Sequence, residues 1–226
     1  MNILAVETAL GACSAAVVSG GRVLSHEHQP MLRGHAESLA PMVQRVMLRA
    51  GIEFRALQRI AVTTGPGTFT GQRVGLAFAR ALGVALKIPV AGITTLEVMA
   101  AEALSAFPAA AWAIAAADAR REEIYLAAYT VGGKLLIAPQ LAPLVEIGIV
   151  VSTTAGQYGF SPVLAGTAAQ LTKPLLKSAG YYPQDSNVLQ PSAVFLALLS
   201  GQLAQVDTAR PLYLRPPDAK PSGVTR

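Results

Sequence analysis

Apolar periodicity divides the chain into two stretches that follow a similar order. Residues 2–6 form a strand-length apolar run closed by a turn from Thr8 to Gly11. Residues 13–19 and 22–28 flank Gly20-Gly21, the dipeptide that a two-residue hairpin with positive φ at both turn positions requires. Three strands in a meander therefore open the fold. From His35 to Ala50 the apolar residues Leu39, Met42, Val43, Val46, Met47 and Ala50 recur at spacings of three and four, and Gly51 stands where a left-handed cap belongs. This pattern predicts an amphipathic helix. Residues 60–64 read as a buried strand, and a Gly/Pro/Thr loop over 65–71 leads into a second helix carrying Val74, Ala77, Phe78, Ala81, Leu82 and Ala85. Residues 90–93 make the next strand. Thr94 with Glu97 three residues later forms a capping box for a helix to about Ser105.

After Phe107-Pro108 the order begins again. Residues 113–117 form an apolar run ending at Asp118, residues 123–130 alternate, and Gly132-Gly133 turns them into a strand over 134–141. The echo is topological, without sequence repetition. Residues 143–161 show no clear period. A short strand is expected over 162–165, a helix interrupted at Pro174 over 168–178, and a helix over 191–199 with Pro191 in its first turn. Residues 211–215 (Pro-Leu-Tyr-Leu-Arg) form an apolar clip. The expected organisation is a first unit over 1–106, completed by a C-terminal helix near 191–210, a second and smaller unit over 107–190, and a disordered tail over 216–226.

Composition narrows the function classes. With 52% hydrophobic and 14% charged residues the chain can bury a large core, which excludes a disordered protein. No apolar stretch reaches the length of a membrane span, and Glu7 interrupts the first apolar run where a secretory signal would not tolerate it, so a cytoplasmic location is expected. A single cysteine, Cys13, excludes an internal disulfide framework. The net charge of +5 is scattered, which favours a solvated basic surface over a dedicated RNA patch, while a direct tRNA-binding module stays open as a third reading. His26 and His28 share a strand face and read as a solvated edge pair.

The most distinctive segment is Thr63-Thr-Gly-Pro-Gly-Thr-Phe-Thr-Gly-Gln-Arg-Val-Gly75, where small residues leave a strand and enter a helix. Backbone amides at a helix N-terminus favour an anion. The segment lacks the Lys of a Walker loop, and a tight turn needing glycine for steric reasons explains it equally well.

The runs Ile3-Leu-Ala-Val-Glu-Thr8, 65–86 (GPGTFTGQRVGLAFARALGVAL), Ile88-Pro-Val-Ala-Gly-Ile-Thr-Thr-Leu-Glu97, Asp118-Ala-Arg-Arg-Glu-Glu-Ile-Tyr125 and Pro211-Leu-Tyr-Leu-Arg215 resemble, in this order, the TsaB (YeaZ) family. The resemblance implies an α/β fold of two tandem actin-like domains (the ASKHA, ribonuclease H-like superfamily) with mixed sheets flanked by helices. It also implies a supporting role in making threonylcarbamoyladenosine beside the anticodon of tRNA. TsaB-like proteins pair with the catalytic paralogue TsaD and help recruit the ATPase TsaE, so ATP, Mg²⁺ and the catalytic metal are expected on those partners. In TsaD-like proteins two histidines four apart bind the metal; here Thr95 and Met99 replace them, and a hydroxyl and a thioether are poor substitutes for two imidazoles.

By the same resemblance, the helix pair should dock TsaD, or a second copy of this chain, through His35, Leu39, Met42, Val43, Val46, Met47, Arg73, Val74 and Phe78. Nucleotide or phosphate loops would involve Glu7, Thr8, Gly65, Gly67, Thr68 and Asp118. Three departures bear on this: Glu7-Thr8-Ala9 stands where the family commonly has Asp-Thr-Ser, Glu122 where it has glycine, and Gly166-Thr-Ala is less glycine-rich than an active nucleotide loop. No catalytic residue is expected. The contrasting reading is an independent enzyme, either an M22-type metallopeptidase or a small ATP-dependent phosphotransferase.

Overall fold

In the computed structural model, which describes residues 1–204, 206 and 209–215, the apolar runs become strands buried on both faces. Strand β1 (Asn2–Glu7) pairs antiparallel with β2 (Ala12–Ser19), which pairs antiparallel with β3 (Arg22–Pro30). On its other side β1 runs parallel to β4 (Arg59–Thr63), and β4 parallel to β5 (Val90–Ile93), giving the order β3-β2-β1-β4-β5. The second sheet has the order β10-β9-β6-β7-β8, built from β6 (Trp112–Asp118), β7 (Glu123–Thr130), β8 (Leu135–Pro143), β9 (Val163–Ala165) and a two-residue edge strand β10 (Gln184–Asp185).

Period-two alternation sends each strand's side chains into two different layers. Leu4 and Val6 of β1 pack beneath helices α1 (His35–Ala50) and α2 (Phe69–Leu86), whereas Ile3 and Ala5 face α6 (Ala193–Gln202). In β6, Trp112, Ile114 and Ala116 meet α4 (Ile147–Ala155) and α5 (Ala169–Ser178). Its Ala113, Ala115 and Ala117 meet Leu96, Met99, Ala100 and Ala103 of α3 (Thr95–Ala106). The result is five layers, α1/α2, sheet, α3/α6, sheet, α4/α5, with three alanines letting the central helix lie close to the second sheet.

Local chemistry fixes the helix ends. Gly51 closes α1 at φ 65°, its N–H donating to Leu48 O at 3.1 Å, and Thr94 Oγ1 accepts from Glu97 N at 3.1 Å at the start of α3. Helix α6 begins after Pro191, at Ala193, because Ser192 Oγ caps Val194 N at 3.1 Å and Ser14 Oγ takes Ala193 N at 3.2 Å. Helix α5 continues through Pro174 without interruption, and Thr172 and Leu176 anchor it to the core. Residues 147–155, which show no sequence period, form α4: Ile147, Val151 and Ala155 reach the core at i, i+4 and i+8, and that packing overrides the strand preference of a β-branched run. The expected tail, 216–226, lies outside the described residues.

Candidate functional site

The glycines of α2 determine which way that helix faces. Gly71, Gln72, Gly75, Leu76, Ala79 and Gly83 are its buried positions. A Cβ on Gly75 would stand 2.6 Å from Thr8 Oγ1, and one on Gly71 would overlap the Thr8 carbonyl. Only glycine permits so close an approach of helix to sheet. The apolar residues that mark α2 in the sequence therefore divide: Ala77, Ala81 and Ala85 are exposed, as is Val84 beside them, whereas Val74, Phe78 and Leu82 are half-buried against the edge of the core. Val84 is 80% exposed and, on α1, Leu48 is 82% exposed.

The docking residues expected from the sequence separate by burial. His35, Leu39, Met42, Val43, Val46 and Met47 are all buried between α1 and the first sheet, with Met42 wholly inaccessible and its sulfur 3.9 Å from Cys13 Sγ. The amphipathic stripe of α1 is a core stripe, and the protein's own first sheet covers these six side chains. Of the α2 residues, Arg73 is exposed, Val74 and Phe78 are half-buried, and the Arg73 guanidinium lies 3.5 Å from the centroid of the Phe69 ring.

The nucleotide-loop residues are only partly brought together. Gly67, Thr68 and Asp118 line a cavity of about 320 Å³ between the two halves, with Gly11, Arg120 and Gln190. Glu7, Thr8 and Gly65 do not line it. Glu7 is buried at the end of β1, where its Oε1 accepts from Ala9 N at 2.5 Å and Thr63 Oγ1 at 3.2 Å while Oε2 has no partner. Burial pushes its carboxyl up to about 8, against those two hydrogen bonds. The Thr8 hydroxyl is spent on Gly71 O at 2.7 Å.

The amides that could cradle a phosphate have internal acceptors. Thr68 N donates to Ala9 O at 2.8 Å, Gly11 N to Gln190 Oε1 at 2.9 Å, Asp118 N to Thr167 Oγ1 at 2.9 Å and Gly166 N to Val188 O at 2.7 Å. These four donors are turned inward, and a phosphate entering the cleft would meet the Asp118 carboxylate, which Arg120 pairs at 3.5 Å. Gln190, which sequence reasoning missed, fills the part of a ligand at the Gly11 amide; its position after a long irregular stretch left no periodic signal.

Thr95 and Met99 lie in the middle layer. Met99 packs among the alanines of the second sheet, and the Thr95 hydroxyl is buried without a partner. One hydroxyl and one thioether in an apolar layer do not fit a divalent metal. His26 and His28 stand exposed on edge strand β3.

Residues 209–215 strap the halves together. Arg80 Nε donates to Ala209 O at 3.0 Å, Leu212 N to Thr64 O at 2.8 Å, and Arg73 Nε to the Tyr213 hydroxyl at 3.2 Å. Arg215 reaches the second half, where Nη1 donates to Ala119 O at 2.7 Å and Nη2 pairs with Glu123. Between these two anchors Arg120, Arg121 and Glu122 hold φ of 64°, 57° and 59°, three successive left-handed residues that are costly without glycine.

Residues 27–148 match the family model for TsaD, tRNA N6-adenosine threonylcarbamoyltransferase. The chain is 32% identical to the tRNA threonylcarbamoyladenosine biosynthesis protein TsaB of Escherichia coli (strain K12), over 95% of each chain. Among solved structures, YeaZ from Pseudomonas aeruginosa superposes with a TM-score of 0.77 at 28% identity, covering 94% of this chain and 99% of that one. The ROK hexokinase of Thermus thermophilus, with a TM-score of 0.54 at 16% identity over 89% of this chain and all of that one, shares the actin-like α/β fold alone.

Proposed function

The chain belongs to the TsaB family, and we propose that it is the non-catalytic subunit that pairs with the threonylcarbamoyltransferase TsaD, and helps recruit TsaE, in making threonylcarbamoyladenosine beside the anticodon of tRNA. The observation that carries this reading is the orientation of α2, which turns glycines toward the sheet and Ala77, Ala81, Val84 and Ala85 toward solvent. Small apolar side chains on an exposed helix face allow another helix to approach closely, and their burial would be the main driving force for association. Leu48 on α1 adds a larger apolar contact to the exposed set. A second copy of this chain would use the same face when TsaD is absent.

Two further features support a supporting rather than a reacting role. The positions that would hold a metal carry Thr95 and Met99, and the amides of Gly11, Thr68 and Asp118 in the cleft are internally bonded. ATP, Mg²⁺ and the catalytic metal then belong to TsaD and TsaE, and this chain supplies a rigid surface. The test is co-purification with TsaD. The Ala81→Glu/Val84→Glu double variant should lose the complex and keep its thermal midpoint, because charges on a solvated helix face cost little until a partner must bury them. An unaltered complex would refute the face, and substrate-dependent ATP loss by the purified chain would favour an autonomous phosphotransferase.

A further inference from the structure

A second cavity, of about 420 Å³, opens where α3, α6 and the turn between β7 and β8 meet. It shares no lining residue with the cleft that holds Gly67 and Asp118. Its size falls within the ~300–1,000 Å³ of small-molecule sites, which favour boundaries between structural units. Leu104, Val131, Phe195 and Leu198 give it apolar walls, and Glu97 and Tyr129 give it a polar corner.

That corner is held in place and is electrically one-sided. Thr94 Oγ1 accepts from Glu97 N at 3.1 Å and lies 3.3 Å from the Tyr129 hydroxyl, so the cap of α3 fixes the Glu97 backbone and the Tyr129 hydroxyl side by side. Burial raises the pKa of the Glu97 carboxyl, with no cation acting against it, and burial chiefly, with the Glu97 charge adding to it against the Thr94 hydrogen bond, raises that of Tyr129. Among the described residues, no Lys, Arg or His lines the cavity. Helix α3 contains two acids and no base, although the whole chain carries +5. Its second acid, Glu102, has a buried Oε2 without a partner.

A carboxylate partly removed from water and lacking a counter-charge is costly unless a cation joins it. Apolar walls with two aromatic rings nearby suit a cation that carries a hydrocarbon body. We propose that this cavity binds a small organic ammonium, an amine on one apolar body, with Glu97 as its counter-charge and Leu104, Phe195 and Leu198 as its walls. The site stands apart from the α2 face, so it is independent of the docking role.

The full chain is titrated with 2-phenylethylamine, 2-phenylethanol and 3-phenylpropionate while backbone amides are followed by NMR. Saturable shifts are expected at the amides of Val131, Gly132, Gly133 and Phe195. The amine should bind at least about tenfold more tightly than the alcohol, and the propionate should not saturate. Glu97→Gln should bring the amine down to the affinity of the alcohol, and Phe195→Ala should weaken both. Ala101→Leu, which narrows the cavity, provides a second variant, and thermal midpoints show that each remains folded. Equal binding of amine and alcohol, a preference that survives Glu97→Gln, shifts that map elsewhere, or no saturable binding would each overturn the proposal.

Discussion

The Thr8 hydroxyl donates to the Gly71 carbonyl at 2.7 Å, joining the turn after β1 to the first turn of α2. At this contact an ordinary helix rule changes sign. Gly→Ala inside a helix normally stabilises by about 1 kcal/mol. At position 71 the new methyl would run into the Thr8 carbonyl and the Thr68 hydroxyl. Gly71→Ala should therefore destabilise the fold by about 1–3 kcal/mol in urea unfolding, an overpacking penalty, whereas Ala77→Gly on the open face should cost about 1.

The two faces of the helix pair separate by the same means. Met42→Glu places a charge in the core beneath α1 and should abolish cooperative unfolding. Leu48→Glu, six residues on and exposed, should leave the denaturation midpoint within about 0.5 kcal/mol of the parent and act only on partner binding.

Arg215→Ala removes a hydrogen bond to Ala119 and an ion pair with Glu123, both partly shielded from water. A loss of about 1–2 kcal/mol is expected by thermal unfolding. Arg215→Lys should recover less than half of it, since one ammonium cannot reproduce the two-pronged reach of the guanidinium.

At the turn that Arg215 spans, Glu122→Gly should stabilise by about 1 kcal/mol, because glycine accepts φ near 59° without a Cβ clash. The expected increase in midpoint is read from chemical denaturation.

Glu7 gives stability a pH dependence. Its folded pKa is pushed up to about 8 by burial, from the 4.5 of an ordinary glutamate. Below about 4.5 both folded and unfolded states hold the proton. Between there and about 8 the folded state holds more protons, so stability falls as pH rises, and above 8 it levels off. Glu102, raised to about 7 by burial, adds to the same slope. Glu7→Gln should flatten most of the decline between pH 5 and 8 and raise stability at pH 8, measured as urea midpoints across that range.

Much of the architecture is legible in the sequence because its signals are local. The Gly-Gly turns, the Gly51 cap, the Thr94 cap and the 3.6-residue spacing of α1 each act within a few residues, and β5 (Val90–Ile93) lies where the apolar run places it. What the sequence obscured depends on distant partners. Apolar spacing in α2 cannot show that Thr8, far away in the chain, forces the glycines inward. The apolar residues of α1 look the same whether a sheet or another protein covers them. In α4 a β-branched run masks the i, i+4, i+8 spacing of Ile147, Val151 and Ala155, which only the second sheet brings out, and the bond from Gln190 to Gly11 has no local signature because it needs the β1–β2 turn in place.

Helix α3 follows the strands of the first sheet in the chain, yet Leu96, Met99 and Ala103 lean on alanines of the second. A jaw-like opening of the cleft would strip these side chains from their neighbours and wet them, so the molecule resists wide hinge motion. Severing the polypeptide after residue 106 would leave one fragment with a naked helix flank and the other with a bare alanine floor. Neither half should mature alone, and heat should melt both in a single step.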